Sequence, residues 1–594
     1  MTDIYNYLQK IKLTIIQQKM KLLYKTVALF SILTLSLFMS KFSLVELYKG
    51  LPDMLDLLKR LLLPTFENID KILLALLDSI YLAILATSSG LILSLPLVFL
   101  SADNISPSKV LARCINFIMS ILRTIPSLIY AAILVSIFSV GTFPGLLSLT
   151  IIAIVMSHKL LRDAIESLPD KLIISIKSLG ANRAQLLQSA ILPSVSKNIF
   201  SNFFIILESN IRSAAVLGFV GAGGIGQMLW KDLNHLRYDR VSTIILVIFV
   251  FIFLLDNISY ILRNSRSIQN LNKRIYKIKY FFSHQIKQES SHKNNKFNIE
   301  IQKSKSEKTN NEFNKNQSKF NSTKSQKSKV SNVNRSIRQL IYRIYIGKIF
   351  ISLVVIFILV NRYIAAFNIS HDRLIRGLKQ SSIIITRLLH PQLTYLPQSI
   401  SAIIETLFIA ISASIIGSLL TLAFSYLAAR NTSHTTLLSN IIKLTMNLLR
   451  SFPPMITAII FFRGIGPGPM SAVLSLSLYT LGSLAKLFFE TVENIDKSYL
   501  QSSLSTGAGN FKIYAFILLP KLKDRFVSLS LYRFESNVRN STLLGIVGAG
   551  GIGQKITMAL QIRDYEKASI LLLFLIIFVY TVDLSSKHIQ KSLR

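Results

Sequence analysis

Long apolar runs recur along the whole chain, separated by shorter polar stretches. Many of them approach the roughly 20 residues that an α-helix needs to cross the hydrocarbon core of a bilayer. Apolar residues fill these runs without alternation, which argues against a transmembrane β-barrel. We predict an all-α polytopic membrane protein with about twelve spans, six in each part of the chain. The predicted spans are 26–41, 72–100, 125–140, 144–158, 199–219 and 241–262, followed by 346–366, 399–427, 453–465, 470–489, 526–546 and 567–584.

The third and fourth runs of each part are separated by only a few residues, which include glycine and proline. Gly141 and Pro144 divide them in the first part, and the segment from Gly464 to Pro469 divides them in the second. Three of these four runs are shorter than the roughly 20 residues of a spanning helix. We therefore expect these two runs to form a hairpin-like pair.

The two parts of the chain are copies of each other. The octapeptide Val220–Gln227 returns unchanged as Val547–Gln554, and the offset of 327 residues holds without a gap over a long stretch. A period this long exceeds that of solenoid repeats and indicates a tandem duplication of a domain of about 240 residues. Two fused copies can meet about a pseudo-two-fold axis and build one site between them. The predicted domains are copy 1 at 1–262, a linker at 263–345 and copy 2 at 346–594.

The linker differs sharply from both copies in composition. It contains 20 Lys and Arg against 4 Asp and Glu, together with many Asn, Ser and Gln. Such a stretch cannot bury a core, so we predict that it is disordered, and its charge favours the cytoplasmic side. The Lys-containing head before the first span lacks a following cleavage site, which predicts an uncleaved anchor. We expect a multi-pass protein of the cell membrane with both termini in the cytoplasm.

The net charge of +38 accompanies 51% hydrophobic residues and a mean hydropathy of +0.48. Nucleic-acid binding is disfavoured, because close to half of the excess charge lies in the linker, where few aromatic residues could stack on bases. Anionic membrane lipid is the alternative partner for this charge. The single cysteine, Cys114, excludes an intrachain disulfide. The sequence shows no metal-ligand spacing, Walker motif or nucleophile constellation, so we expect no cofactor, no metal and no enzymatic activity.

The repeated octapeptide places four glycines within six residues in each copy. It fits Gly-x-Gly-x-x-Gly, but the strand and the amphipathic helix of a dinucleotide site are missing, and Gln227 and Gln554 stand where a P-loop has lysine. Such glycines allow close helix approach or an unwound backbone inside a membrane protein. Contact of their N–H groups with an anion is the alternative. The candidate residues are Gly221, Gly223, Gly224 and Gly226 in copy 1 and Gly548, Gly550, Gly551 and Gly553 in copy 2.

A polar connector separates the fourth and fifth spans of each copy. Because a glycine interrupts one helix and a proline opens the next, we predict two short helices joined at a bend. A helix pair of this kind could dock into a groove of a partner, and an ordinary helix-turn-helix connector is the alternative. The residues that mark the connector are Glu166, Gly180 and Pro193 in copy 1 and, at the same spacing, Glu493, Gly507 and Pro520 in copy 2.

This spacing resembles the coupling loop with which permeases of ATP-binding-cassette (ABC) importers contact their nucleotide-binding subunits. The chain departs from that motif where its usual Glu-Ala-Ala reads Ile174-Ser175-Ile176 in copy 1 and Gln501-Ser502-Ser503 in copy 2. A polar patch then precedes each glycine segment, Glu208-Ser-Asn210-Ile-Arg212 in copy 1 and Glu535-Ser-Asn537-Val-Arg539 in copy 2. Together with Leu-Gly-x-Val-Gly-Ala-Gly-Gly-Ile-Gly-Gln, this patch closely resembles the phosphonate-type permeases of the same superfamily.

The resemblance implies a type I ABC importer permease-like fold with a translocation pathway between two permease domains. It also implies an extracytoplasmic solute-binding protein and ABC ATPase subunits, expected in two copies, on separate chains. Phosphonate, phosphite or phosphate would be the solute. A phosphorylated vitamin such as thiamine pyrophosphate would use similar anionic chemistry and stays open. A secondary transporter with internal repeats and a membrane scaffold are further alternatives, but neither explains two matched connectors.

Two roles are open for the polar patches. Glu208 and Arg212 are four residues apart, as are Glu535 and Arg539, so each pair can form an ion pair on one helix face. The arginines would then be structural. Alternatively, Arg212 and Arg539 flank the pseudo-two-fold axis and offer positive potential to a phosphonate or phosphate-like anion, which suits the planar guanidinium. In both cases charged groups within a span should face the bundle interior.

Overall fold

The computed structural model describes residues 27–264 and 371–592, apart from isolated positions. Most of the N-terminal head, nearly all of the predicted linker and the predicted span 346–366 lie outside the described residues. The described parts of copy 1 up to Asp256 and of copy 2 belong to one compact unit. All regular elements within them are helical, as the apolar pattern predicts.

Copy 1 contains eleven described helices, joined by short connections. A π-turn at Leu187–Ile191 is continuous with the helices on both sides of it, and a 3-10 turn at Gly218–Val220 continues the helix before it. The helices are α1 (Phe30–Met39), α2 (Leu44–Leu61), α3 (Ile69–Ser101), α4 (Lys109–Thr124), α5 (Ser127–Phe138), α6 (Thr142–Glu166), α7 (Asp170–Lys177), α8 (Arg183–Leu186), α9 (Leu192–Leu217), α10 (Gly224–Asn234) and α11 (Tyr238–Asn264).

Copy 2 repeats this order from the counterpart of α2 onward, including a π-turn at Tyr514–Leu518. Its helices are α12 (His371–Leu388), α13 (Leu396–Ala428), α14 (Thr436–Ser451), α15 (Pro454–Ile465), α16 (Pro469–Glu493), α17 (Lys497–Leu504), α18 (Asn510–Ile513), α19 (Leu519–Gly545), α20 (Gly551–Gln561) and α21 (Tyr565–Ser592).

Small residues allow the long helices to pack closely. In copy 1 α3 lies against α6, and a Cβ added at Gly90 would overlap Ala153. In copy 2 α13 lies against α16 in the same way, with Gly417 beside Thr480. Lipid tails are as apolar as helix side chains, so the hydrophobic effect does not drive helices together within a membrane. Helices there associate by close packing, which small residues allow.

Seven described helices are long and apolar enough to span a membrane, or ten if each of three bent pairs counts as one span. The predicted span 526–546 corresponds to α19, a single helix whose many charged residues keep it outside this count. The predicted span 346–366 cannot be compared, because it lies outside the described residues. The number twelve therefore stays a prediction.

The predicted third span, 125–140, is shorter in the structure and packs against the predicted fourth span. The apolar run there forms only α5, whose 12 residues extend roughly 18 Å. It meets the preceding amphipathic helix α4 at an angle of 88°, because Pro126 holds Ile125 in an extended conformation and ends α4. The counterpart pair α14 and α15 is bent by 89° at Pro453. α4 and α14 contain charged residues, so neither helix forms a continuous apolar run in the sequence.

Each copy extends one helix onto the hairpin of the other. α2 packs on α15, and α12 packs on α5. Gly50 and Gly464 meet backbone to backbone, since a Cβ added at either glycine would overlap the carbonyl oxygen of the other. In the equivalent contact Gly377 lies against the ring of Phe138. Such an exchange of equivalent surfaces is an isologous interface, as the duplication predicts.

Candidate functional site

A cavity of about 450 Å³ lies between the two copies. Its walls come from α4, α5, α6 and α9 of copy 1 and from the counterparts α14, α15, α16 and α19 of copy 2. The two helix breaks at Pro126 and Pro453 both border it, so these bends also shape the cavity. The site thus lies where the duplication places the pseudo-two-fold axis.

The cavity is strongly cationic. Among the described residues that line it, one carboxylate, Glu535, faces five positively charged side chains. An enclosed wall with one sign of charge focuses the field and concentrates counter-ions of the opposite sign. Guanidinium groups add planar forks that match oxyanions. The five cationic residues are Arg123, Lys159 and Arg212 of copy 1 and Arg450 and Arg539 of copy 2.

The two arginines of the polar patches both pair within their helix and line the cavity. Arg539 contacts Glu535 at 2.8 Å, and Arg212 forms the equivalent pair with Glu208. The arginine side chains are each 22% exposed, whereas the glutamates are 11% or less. The carboxylates therefore hold the guanidinium groups in place while part of each group faces the cavity. The two sequence-based alternatives are compatible, and contact with a solute stays a prediction.

Asn210 and Asn537 of the same patches lie outside the cavity lining, fully buried between helices. The amide nitrogen of Asn210 donates to Thr87 Oγ1 at 2.9 Å. That of Asn537 donates to Ser414 Oγ and to Thr480 Oγ1, both at 2.8 Å. Their position indicates that they clamp α9 onto α3 and α19 onto α13, and nothing in the described residues brings them to the cavity.

Arg123 joins the two copies by an ion pair. Its Nη2 lies 2.8 Å from Asp583 Oδ2 on α21, and the same carboxylate oxygen accepts a bond from Lys587 at 2.6 Å. The Asp583 side chain is 5% exposed, while that of Arg123 is 22% exposed. The arginine therefore sits between a buried carboxylate of the other copy and the open cavity.

The glycine segments form tight turns away from the cavity. None of their described glycines lines it, and those glycines with positive φ carry the chain from α9 into α10 and from α19 into α20. The amide N–H of Ile225 donates to Ser79 Oγ at 2.9 Å, and that of Ile552 donates to Thr406 Oγ1 at 2.8 Å. A Cβ at Gly551 would come within 2.5 Å of the same Thr406 oxygen.

Other glycines of these turns make equally close contacts. Gly221 and Gly223 pack on Val140 and Thr142, at the tip of the hairpin between α5 and α6. Their counterparts Gly548 and Gly550 face the Pro467 to Pro469 tip of copy 2. Gly226 and Gly553 each abut a backbone carbonyl of the preceding helix. This geometry favours close packing over solute contact as the reason for the glycines.

The connector glutamates fasten helix ends together. Glu166 accepts a bond from the Asp103 amide N–H at 3.2 Å, and Glu493 accepts bonds from the Arg430 N–H at 2.8 Å and from Lys443 Nζ at 2.6 Å. Next to these glutamates, two equivalent asparagines that were not predicted as site residues make the same bond in each copy. Asn104 Nδ2 donates to the carbonyl of Ile165, and Asn431 Nδ2 to that of Val492. The two asparagines are 327 residues apart, so the sequence repeat could have identified them.

Gly180 and Gly507 form the predicted bend, with φ of +77° and +71°, and a Cβ added at either glycine would meet no described atom within 4 Å. Pro193 and Pro520 lie in the first turn of α9 and α19, as predicted, but a short helix and a π-turn run into each of these helices without a break. In copy 1 the short helix is α8, where Asn182 and Gln185 bond reciprocally as a capping box. Each proline follows a π-turn, because a proline inside a helix removes one N–H donor and crowds the carbonyl four residues earlier.

These features define the class of the protein: a helical membrane permease built from two copies around a shared cationic cavity. The chain belongs to the family described as the binding-protein-dependent transport system inner membrane component, which matches residues 94–267 and again residues 421–594. The two matches differ by the same offset of 327 residues as the sequence repeat.

Relatives agree with this assignment over different lengths. The chain is 27% identical over 551 residues to the phosphate-import permease protein PhnE of Mycolicibacterium smegmatis, covering 92% of this chain and 90% of that protein. It is 31% identical over 218 residues to the phosphite transport system permease protein PtxC of Stutzerimonas stutzeri, covering 37% and 79%. Among solved structures, the inward-facing MetNI methionine ABC transporter matches 32% of this chain and 93% of its own chain at 23% identity, with a TM-score of 0.30.

Proposed function

We propose that this protein is the permease subunit of an ABC importer that moves a phosphonate- or phosphate-like anion across the cytoplasmic membrane. The observation that carries the proposal is the cavity, where five cationic side chains from both copies face one carboxylate. Relatives that are named for phosphate import and phosphite transport support an oxyanion as the solute. The solute would pass between the copies, past Arg212 and Arg539.

ATP hydrolysis would occur on two separate ATPase subunits that dock on the connectors. The connectors expose apolar side chains that water would otherwise surround: Ile174 and Leu179 are 60% and 84% exposed, and Phe511 is 62% exposed. Exposed apolar groups beside a helix bend fit a partner's groove. The connectors, both termini and the linker would then lie in the cytoplasm, and a solute-binding protein would deliver the anion at the opposite face.

Uptake by cells that produce this chain with its ATPase and binding-protein partners tests the anion role. Radiolabelled phosphate, phosphite, methylphosphonate and thiamine pyrophosphate serve as probes. The double variant R212Q/R539Q should lower uptake of the preferred anion at least about tenfold, since each arginine loses a charge-assisted contact, and Lys at both positions should retain part of it. The matched control is Arg60→Gln, because Arg60 is 59% exposed and pairs with Asp56 outside the cavity.

Unchanged, ATP-dependent uptake in R212Q/R539Q would remove the anion role of both arginines. Uptake that persists without ATP would instead favour a secondary transporter. Docking is tested separately by purification in detergent: Leu179→Asp with Phe511→Asp should abolish co-purification of the ATPase. Retention of the ATPase by that variant would show that it docks elsewhere.

A further inference from the structure

Copy 2 buries an arginine at a position where copy 1 has an aliphatic residue. Arg533 of α19 is only 7% exposed, and it does not line the cavity. The equivalent residue of copy 1 is Ile206, which is fully buried. Because the same helix packs well with isoleucine, packing alone does not account for the charge in copy 2. Ionisable groups inside membrane proteins usually mark functional sites and have a partner.

The guanidinium of Arg533 has no negative partner among the described residues. None of their ion pairs includes it, and its Nε and Nη2 atoms have no hydrogen-bond partner there. Its guanidinium carbon lies 5.0 Å from the centre of the Tyr479 ring. A ring face attracts a cation but carries no net charge. A buried charge without a counter-charge is strongly destabilising, so this side chain calls for an anion.

Two serines extend the polar region along α16 and α19. The two helices run antiparallel and touch at the tyrosine–arginine contact and again at Phe488 and Phe526, whose ring centroids are 4.8 Å apart. Ser483 of α16 and Ser530 of α19 lie between these two contacts on their helices. Both Oγ atoms are buried, and neither has a hydrogen-bond partner in the described part of the chain.

Copy 1 fills the equivalent positions with larger, apolar side chains. Met156 and Phe203 stand where copy 2 has Ser483 and Ser530. The tyrosine and the arginine of copy 2 replace two isoleucines and return only a small part of the side-chain volume that the serines give up. Protein interiors are otherwise packed closely. A polar interior with less side-chain volume than its counterpart suits a small polar guest.

We propose that Arg533, Ser483 and Ser530 form a binding site for a small anion between α16 and α19 of copy 2. The guanidinium supplies the positive charge and two free donor groups, and each serine supplies a hydroxyl donor. Tyr479 separates this site from the cavity, since it lines the cavity and also contacts the arginine. The anion neutralises the buried charge and holds α19 on α16. This proposal goes beyond the transport function and does not depend on which solute is transported.

Thermal unfolding of the full chain in detergent tests the site. The chain is compared in chloride, in phosphate and in gluconate, a bulky reference anion, at equal ionic strength. Chloride or phosphate should raise the unfolding midpoint of wild type by about 3 °C over gluconate. Arg533→Ile should lose this shift, and in gluconate it should unfold at a higher temperature than wild type, because it removes an unpaired buried charge. Arg533→Lys keeps the charge and should keep part of the shift.

The cavity also carries cations, so a second variant separates the two places. R212Q/R539Q removes two arginines of the cavity lining and should retain the shift. The proposal is overturned if R212Q/R539Q abolishes the shift while Arg533→Ile keeps it. It is also overturned if wild type unfolds at the same temperature in all three anions, because water alone would then occupy the site.

Anomalous scattering from crystals grown in bromide or in arsenate locates the anion directly. A peak beside the Arg533 guanidinium is expected in at least one of them, and a peak there in neither contradicts the site. Stabilisation by chloride together with a bromide peak assigns the site to a resident halide. Stabilisation by phosphate alone together with an arsenate peak assigns it to the oxyanion. Uptake is measured separately, so failure of this site leaves the transport proposal standing.

Discussion

Copy 1 and copy 2 repeat several bonds where helices are joined, and they differ at some positions in the cavity wall and behind it. The bond from the Ile225 amide to Ser79 in copy 1 has its equivalent between Ile552 and Thr406 in copy 2. The bond of Asn104 to a helix-end carbonyl is likewise repeated by Asn431. By contrast, Ile152 and Ile206 of copy 1 become Tyr479 and Arg533. A dimer of identical chains must present the same residue on both sides of its axis. A fused pair is free of that constraint, so its two copies can present different residues in the cavity wall and behind it.

The largest effect is expected at the ion pair between the copies. Asp583→Asn should destabilise the protein by about 3 kcal/mol, because it leaves the partly buried Arg123 without its carboxylate. Thermal unfolding in detergent, followed by tryptophan fluorescence or light scattering, measures this. If the copies were independent units, the variant would change stability little. The control is Lys587→Met, which removes the half-exposed partner of Asp583 and should cost less than about 1 kcal/mol.

The contacts of α2 with α15 and of α12 with α5 are equivalent, so their contributions to stability can be compared directly. Gly50→Ala should cost about 2 to 3 kcal/mol, since the added methyl group overlaps the rigid backbone of Gly464. Gly377→Ala should cost about 1 kcal/mol, because the methyl group meets the Phe138 ring, which can rotate away. Both values come from the same unfolding assay. Equal costs would mean that the two contacts are as symmetric as the sequence repeat.

The sequence predicted the all-helical fold, the duplication and the exchange of surfaces about an axis, because continuous apolar runs and a constant offset report these directly. It did not predict the bend at Pro126, since α4 carries its apolar residues on one face only. The pairing of Arg123 with Asp583 joins residues 460 positions apart, and no local pattern records such a contact. Tyr479 and Arg533 differ from the equivalent residues of copy 1, Ile152 and Ile206. A comparison that looks only for residues shared by the two copies does not detect such differences.

The buried asparagines should differ in their contribution to stability. Asn537→Ala removes bonds to Ser414 and Thr480 and should cost about 2 to 3 kcal/mol. Asn210→Ala removes one bond to Thr87 and should cost about 1 kcal/mol. The same unfolding assay compares them, with transport unchanged wherever the protein folds. A larger loss for Asn210 would reverse this ranking of the two clamps.

The smallest effect is expected from a substitution that makes copy 1 more like copy 2. Within the described residues the Asn210 Oδ1 atom is buried and has no hydrogen-bond partner, whereas Asn537 Oδ1 accepts a bond from Thr480 Oγ1 at 3.2 Å. The residue equivalent to Thr480 is Ala153. Ala153→Thr should therefore supply the missing donor and stabilise the protein by about 1 kcal/mol.

The fit of the new side chain decides the sign of that effect. Gly90 lies against Ala153 as Gly417 lies against Thr480, so the glycine that admits threonine in copy 2 is present in copy 1 as well. Ala153→Val, which has the same shape without the hydroxyl group, separates the hydrogen bond from the packing. Threonine should raise the unfolding temperature relative to valine. If both variants lower it equally, the space beside Gly90 is smaller than its counterpart, and the copies differ in packing as well as in chemistry.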